Sequence, residues 1–145
     1  MSGFLLDTNI PSELIRSRPD PHVQTWVFRQ DEQALFLSAI TIGELRKGFI
    51  LLPAGPRRTQ LEHWLENVLV PRFHGRILPV TYTIADRWGA LDGQCHLNGT
   101  PLNMADGLIA ATALEHGLTV VTRNVKDFAE LGVALLNPWD NPEHA

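Results

Sequence analysis

The sequence predicts an α/β fold in which helices cover both faces of a central parallel sheet of about five strands. Short apolar runs, such as residues 3–6 and 35–38, are continuous rather than alternating, as in strands that are buried on both faces. Longer segments with helical spacing separate these runs, which favours a three-layer α/β/α arrangement. A chain of 145 residues, 44% of them hydrophobic, is sufficient for one core. We therefore expect one domain over residues 1–137 and a polar C-terminal tail over residues 138–145.

The first half of the chain alternates between strand and helix patterns. The apolar run at residues 3–6 stops at Asp7-Thr8-Asn9, which predicts a buried strand followed by a turn. Asn9 or a neighbour then caps a short helix that carries Pro11 in its first turn. Apolar residues three and four positions apart predict two further helices, and the Thr41 hydroxyl is the expected cap of the second. The elements expected next are a helix over residues 21–29, a strand over 35–38, and a helix from about 41 to 52.

The second half continues the pattern after a break at residues 53–56, which contain two prolines. Asn98-Gly99 and Gly117 are expected to end two of its helices, because glycine suits the left-handed position after a helix. The expected elements are helices over residues 57–70, 83–96 and 103–116, strands over 76–80, 118–122 and 133–136, and a short turn or helix over 126–131.

Composition excludes several classes of protein. The single cysteine, Cys95, excludes an intramolecular disulfide and a metal site built from cysteines, and it fits a reducing cytoplasm. The N-terminus lacks the pattern of a signal peptide, and we expect no membrane-spanning segment. The formal net charge is −4, so any nucleic acid would have to meet local basic clusters. Candidates are Arg46-Lys47, Arg57-Arg58, Arg72 and Arg76, which are otherwise solvated helix ends.

Open parallel sheets form their binding sites beyond the carboxyl ends of their strands. In this sequence, acidic residues fall at those positions. Asp7 directly follows the first strand, and Thr122-Arg123-Asn124 follows the fourth. Glu44 and Asp106 fall in the first turns of helices that begin near the same edge. We therefore expect one crevice to contain Asp7, Glu44, Asp106, and either Asn124 or Asp127.

Carboxylates that converge on one place repel one another and raise one another's pKa, so a bound cation is expected to neutralise them. Oxygen ligands without cysteine suit Mg²⁺, with Mn²⁺ as a substitute. Such an ion lowers the pKa of bound water and offsets phosphoryl charge, which indicates phosphodiester hydrolysis. Taken singly, each acid also has a plain structural interpretation. Asp7 is then a turn former, and Glu44 and Asp106 complement helix dipoles.

Four sequence blocks resemble the PIN-domain ribonucleases, and specifically the VapC and FitB-like toxins of type II toxin–antitoxin modules. The blocks occur in order and together span essentially the whole chain. They are LLDTN at residues 5–9, LSAITIGELRKG at 37–48, NMADGLIAATALEHG at 103–117, and VVTRNVKDF at 120–128.

The resemblance implies a PIN-like fold and a Mg²⁺-dependent endoribonuclease. Such an enzyme hydrolyses RNA with a metal-activated water and leaves 5′-phosphate and 3′-hydroxyl ends. The family's three principal acidic positions fall on Asp7, Glu44 and Asp106. The fourth falls on Asn124, where many relatives have Asp, and Asp127 is the residue that could replace it through water. Thr8, Asn9, Ser38 and Thr122 are candidates to hold waters or orient the carboxylates, although such residues also serve as plain caps.

The resemblance also implies partners. These are an RNA substrate and a cognate VapB-like antitoxin whose basic segment inhibits the site. We expect a homodimer, or a higher assembly with the antitoxin, in the cytoplasm and away from membranes. Trp26, Phe28 or residues 50–52 are candidate apolar contacts for these partners.

Three other functions fit this sequence less well. One alternative is a non-catalytic RNA-binding or regulatory domain whose metal site is weakened by Asn124, although the intact trio of Asp7, Glu44 and Asp106 disfavours it. A phosphoacceptor receiver domain would need paired acids after the first strand and an Asp after the third. A haloacid-dehalogenase-like phosphatase would need Asp-x-Asp where this chain has Asp7-Thr8-Asn9.

Overall fold

A five-stranded parallel sheet forms the centre of the fold. The computed structural model describes residues 3–140, and its strands lie in the order β3-β2-β1-β4-β5 with every pairing parallel. Helices flank this sheet, which confirms the predicted α/β/α fold class. The strands are β1 (Phe4–Leu6), β2 (Leu35–Ser38), β3 (Ile77–Leu78), β4 (Thr119–Val121) and β5 (Leu135–Leu136).

Seven α-helices of the described chain connect the strands. A π-helical stretch over Leu65–Leu69 joins the fourth and fifth, so the predicted helix over residues 57–70 is part of one longer helical segment. Short 3-10 helices occupy Glu32–Ala34 and Val125–Phe128. The α-helices are α1 (Asn9–Leu14), α2 (Pro21–Arg29), α3 (Ala39–Ile50), α4 (Pro56–Trp64), α5 (Val70–Arg72), α6 (Tyr82–Leu97) and α7 (Met104–His116).

Several boundaries differ from the sequence-based expectation, and two of the differences have a clear local cause. Helix α3 begins at Ala39, because the Ser38 side chain accepts a hydrogen bond from the Ile40 N–H at 3.0 Å. The expected cap at Thr41 was therefore wrong, and Thr41 is instead a fully buried residue within the helix. Strand β3 is shorter than predicted, because Pro79 follows it and has no N–H to donate to a strand ladder.

Each face of the sheet carries its own hydrophobic core. Leu6 contributes to one core, where Trp26 of α2 is packed edge-on against Phe4 with ring centroids 5.0 Å apart. Leu5 contributes to the other, together with Ile109, Ala110 and Ala113 of α7, in accordance with the alternation of side chains along a strand. Both faces of the sheet are thus covered, which leaves its carboxyl edge as the place where polar side chains gather.

Helix α7 packs closely on α6. A Cβ atom added at Gly107 would lie 2.7 Å from Trp88 Cδ1, so this approach depends on the absence of a side chain. Close packing fixes the position of the first turn of α7, which carries Asp106.

The described chain ends beside the sheet. The Arg123 guanidinium lies 5.2 Å from the ring centroid of Trp139, which is partly buried against the core. The domain boundary after residue 137 stays a prediction, and residues 141–145 of the expected tail lie outside the described residues. Within residues 3–140, no helix is long and apolar enough to span a membrane.

Candidate metal centre

Asp7 is held rigidly at the end of β1. Its N–H continues the strand ladder by donating to the Val121 carbonyl at 2.9 Å, and only 5% of the residue is exposed. Asp7 Oδ1 accepts a hydrogen bond from the Thr8 N–H at 2.8 Å, and Oδ2 accepts one from Thr122 Oγ1 at 2.7 Å. Asn9 Nδ2 also reaches Asp7 Oδ2 at 3.5 Å. These contacts fix the orientation of the carboxylate toward the carboxyl edge of the sheet.

Glu44 is anchored to the turn that follows Asp7. The Thr8 hydroxyl donates to Glu44 Oε1 at 2.5 Å, and Thr41 Oγ1 lies 3.3 Å from Thr8 Oγ1. Because α3 begins at Ala39, Glu44 falls in its second turn rather than its first. Thr41 is a residue of the site that the sequence analysis did not predict. Its one signal is its position three residues before Glu44, on the same helix face.

Asp106 reaches the same region from α7. Asn103 caps this helix, and its Oδ1 accepts hydrogen bonds from the N–H groups of Ala105 at 2.9 Å and Asp106 at 3.3 Å. Asp106 lies in the first turn, where the positive end of the helix dipole favours a carboxylate.

The pKa values show that these acids share one electrostatic environment. Burial and, to a smaller extent, the charges of Asp7, Asp127 and Glu44 together raise the pKa of Asp106 to about 6. Burial also raises the pKa of Asp7, while hydrogen bonds from Thr122 and Thr8 act in the opposite direction. Four carboxylates from chain-distant elements therefore repel one another at one edge of the sheet.

Asn124 and Asp127 are the two candidates for the fourth ligand position of the metal site. The Asn124 N–H donates to Thr122 Oγ1 at 3.0 Å, so its backbone supports the hydroxyl that holds Asp7. Asp127, in the 3-10 helix that follows, carries a charge that raises the pKa of both Asp7 and Asp106. Asp127 thus belongs electrostatically to the cluster.

The remaining polar candidates differ in their contacts. Thr8, Asn9 and Thr122 all touch the acid cluster, and the Arg123 N–H donates to Asn9 Oδ1 at 3.4 Å. Ser38 does not make such a contact among the described residues, because its hydroxyl serves as the cap of α3.

The donor set fits a hydrated divalent cation. Within residues 3–140, no basic side chain forms an ion pair with Asp7, Glu44, Asp106 or Asp127. No three His, Cys, Asp or Glu side chains of that part of the chain are grouped tightly enough to hold an ion by protein ligands alone. Mg²⁺ usually takes one or two carboxylates and keeps several waters, so it does not require three protein ligands grouped around it.

Comparison with known proteins agrees with this architecture. The VapC ribonuclease Y4jK of Sinorhizobium fredii is 41% identical over 137 residues, which cover 94% of this chain and 98% of that protein. The toxin FitB of Neisseria gonorrhoeae is 41% identical over 136 residues, with 94% and 98% of the two chains covered.

Solved structures and the family model give the same result. The crystal structure of FitAcB from Neisseria gonorrhoeae superposes with a TM-score of 0.88 at 40% identity, covering 94% of this chain and 99% of that one. A toxin–antitoxin complex from Klebsiella pneumoniae gives a TM-score of 0.71 at 28% identity, covering 94% and 98%. The model of the PIN domain matches residues 4–134. The chain therefore belongs to the PIN-domain family, as its four sequence blocks predicted.

Proposed function

We propose that this protein is a metal-dependent endoribonuclease that acts as the toxin of a type II toxin–antitoxin module. The observation that carries the proposal is the cluster of Asp7, Glu44, Asp106 and Asp127, in which burial and the neighbouring charges together raise the pKa of Asp106 to about 6. Names of similar proteins, a VapC ribonuclease and a FitB toxin, support both the hydrolase activity and the biological role.

Asp7, Glu44 and Asp106 would hold Mg²⁺, or Mn²⁺ in its place, with Asn124 or Asp127 completing the site. The bound ion would supply a water of lowered pKa and offset charge on the phosphodiester. The chain's own residues prepare the site. Thr122 and the Thr8 N–H orient the Asp7 carboxylate and favour its ionised form, and the Thr8 hydroxyl holds Glu44.

An antitoxin is the proposed protein partner, and the similarity to a toxin–antitoxin complex supports it. A basic antitoxin segment would pair with the same carboxylates that attract the ion, because no basic side chain of residues 3–140 neutralises them. Apolar contacts would supply further binding energy. The sequence analysis predicted Trp26 as one such contact, but Trp26 is only 1% exposed and lies in the core. Phe28, which is 90% exposed, and residues 50–52 remain candidates.

The proposed setting is the bacterial cytoplasm, where RNA and an antitoxin encoded nearby would both be present. A homodimer, or a larger assembly with the antitoxin, completes the proposal. Partners of this kind would cover Phe28 and Leu51, which are large apolar side chains exposed on the single chain.

Expression in a bacterial host tests the toxin function. We expect the wild-type chain to arrest growth, and Asp106→Asn at an equal level of folded protein not to do so. Co-expression of a small basic protein encoded beside the gene should relieve the arrest. Unimpaired growth with abundant folded wild-type protein would contradict the toxin function and favour the non-catalytic regulatory alternative.

A further inference from the structure

Most arginines that the sequence offered as phosphate contacts are already paired. Arg46 forms ion pairs with Glu62 and Glu66, at 3.4 and 2.9 Å. Arg58 lies 3.7 Å from Glu62. Arg72 and Arg76 both pair with Glu32, at 2.9 and 3.0 Å, and Arg76 also donates to backbone carbonyls. These side chains neutralise neighbouring glutamates, so they contribute little net positive field to attract RNA.

The two lysines of the chain differ from these arginines, because they lie near the acid cluster without an ion-pair partner among the described residues. Lys47 lies on α3, one turn beyond Glu44, and Lys126 lies in the 3-10 helix beside Asp127. Both are exposed, and neither forms an ion pair with another residue between positions 3 and 140. Each lysine lines a cavity of about 460 Å³.

These two cavities lie on opposite sides of the first turn of α7. Asp106, Asp127 and Lys126 line one of them, and Glu44, Lys47 and Met104 line the other. At 100° per residue, Met104 and Asp106 project from α7 in directions about 160° apart. Asn103, which caps the helix, borders both cavities. Asp106 and Asp127 thus line one cavity and Glu44 lines the other, and the two cavities share one helix end.

Each cavity combines a cation with apolar walls. Leu102 and Leu131 line the cavity of Lys126, and Ile40 and Leu108 line that of Lys47. A nucleotide has the same combination of a charged phosphate and an apolar base face. A nucleic-acid strand would otherwise be repelled, because the net charge is −4 and the cluster between the cavities is acidic.

We propose that single-stranded RNA crosses the N-terminal turn of α7, with Lys47 contacting a phosphate on one side of the acid cluster and Lys126 contacting one on the other. This inference rests on the proposed function and deepens it, since it names the path of the substrate. Lys47 and Lys126 are positioning residues, because they bind the strand beside the reacting phosphate and not at it.

The test measures RNA affinity without cleavage. A fluorescein-labelled oligouridylate of about 12 nucleotides, within the range of single-strand site sizes, is bound to the full chain carrying Asp106→Asn, and anisotropy is followed at several salt concentrations. Lys47→Gln and Lys126→Gln are each added to this background. Arg18→Gln is the control, because it removes the same charge from an exposed residue between α1 and α2 that lines neither cavity.

We expect each lysine variant to weaken binding and to lower the slope of log affinity against log salt by about 0.7, the value for one lost contact with a single-strand phosphate. Arg18→Gln should leave the slope unchanged. Equal slopes for the lysine variants and the control would overturn the proposed path, and so would the absence of measurable binding to the oligouridylate.

Cleavage assays on the wild-type background separate this inference from the proposed function. If RNA is cleaved but affinity is independent of both lysines, the path is wrong and the nuclease function stands. If binding depends on both lysines but the wild-type chain never cleaves RNA, the path stands and the catalytic proposal fails.

Discussion

The Thr122 hydroxyl donates to Asp7 Oδ2 at 2.7 Å and joins the carboxyl ends of β4 and β1 across 115 positions of sequence. It also accepts the Asn124 N–H at 3.0 Å, so one buried hydroxyl links the turn after β4 to the carboxylate after β1. Burial raises the pKa of Asp7, and this hydrogen bond acts in the opposite direction, so it favours the ionised form that accepts a cation.

Replacing Thr122 with Val should therefore weaken metal binding. Without the hydroxyl, the pKa of Asp7 rises, and protons compete better with the ion. Loss of a residue that orients a metal ligand typically costs ~10–100-fold in affinity. Isothermal titration with Mn²⁺ measures the effect. Thr112→Val is the matched control, because Thr112 is equally buried but its hydroxyl donates to the Leu108 carbonyl within α7. Equal Mn²⁺ affinity in the two variants would contradict the role given to Thr122.

Asp106→Asn should stabilise the metal-free protein at neutral pH. The pKa of Asp106 is raised from 3.8 to about 6 in the folded chain, so its ionisation destabilises the fold as pH rises through that window. The difference in unfolding free energy between variant and wild type should be near zero at about pH 4 and reach about 1 kcal/mol at pH 7, after allowance for solvent screening. Urea unfolding in EDTA measures it. Asp86→Asn, at an exposed position of α6, is the control, and its difference in unfolding free energy from the wild type should not increase with pH.

The fourth acidic position can be decided by a pair of variants. Asp127→Asn should weaken Mn²⁺ binding, because the Asp127 charge acts on both Asp7 and Asp106. Asn124→Asp should strengthen Mn²⁺ binding by adding a carboxylate to the turn beside Asp7. Each affinity is compared with that of the wild type by titration calorimetry. If neither substitution changes the affinity, this turn has a structural role only.

Gly107→Ala should destabilise the fold by about 1–3 kcal/mol, the usual cost of overpacking a core. The added Cβ would lie 2.7 Å from Trp88 Cδ1 and 2.8 Å from Leu102 Cδ2. Gly93→Ala is the control, because its Cβ would have no neighbour within 4 Å, and alanine is favoured over glycine within a helix. Thermal unfolding compares the two. A stability for Gly107→Ala equal to that of Gly93→Ala would show that α6 and α7 pack less closely than described.

The fold class could be predicted because the buried strands are continuous apolar runs. Leu5 and Leu6 point to opposite faces and both are almost fully buried, which is possible only when helices cover both faces of the sheet. The grouping of Asp7, Glu44 and Asp106 was predictable for the same reason, since parallel strands bring their carboxyl ends to one edge.

Details that depend on distant partners could not be predicted. The cap of α3 was misassigned because Ser38 and Thr41 both carry suitable hydroxyls, and local sequence does not decide between them. The pairing of Arg72 and Arg76 with Glu32 joins residues 40 and 44 positions apart, so local spacing gave no sign that these cations are neutralised. Lys47 and Lys126, by contrast, are exposed and form no ion pair within residues 3–140, so their charges remain available to a substrate.

Cleavage of RNA by the purified chain tests the central claim most directly. Wild-type protein, Asp7→Asn and Asp106→Asn are each incubated with bacterial RNA in Mg²⁺ and in EDTA, after circular dichroism has established that all three are folded. We expect cleavage by the wild type in Mg²⁺ alone, with 5′-phosphate ends, and at least a hundredfold lower rate in both variants, or about 2.7 kcal/mol in the barrier. Cleavage at the wild-type rate by folded Asp106→Asn would contradict the assignment of the acid cluster as the active site.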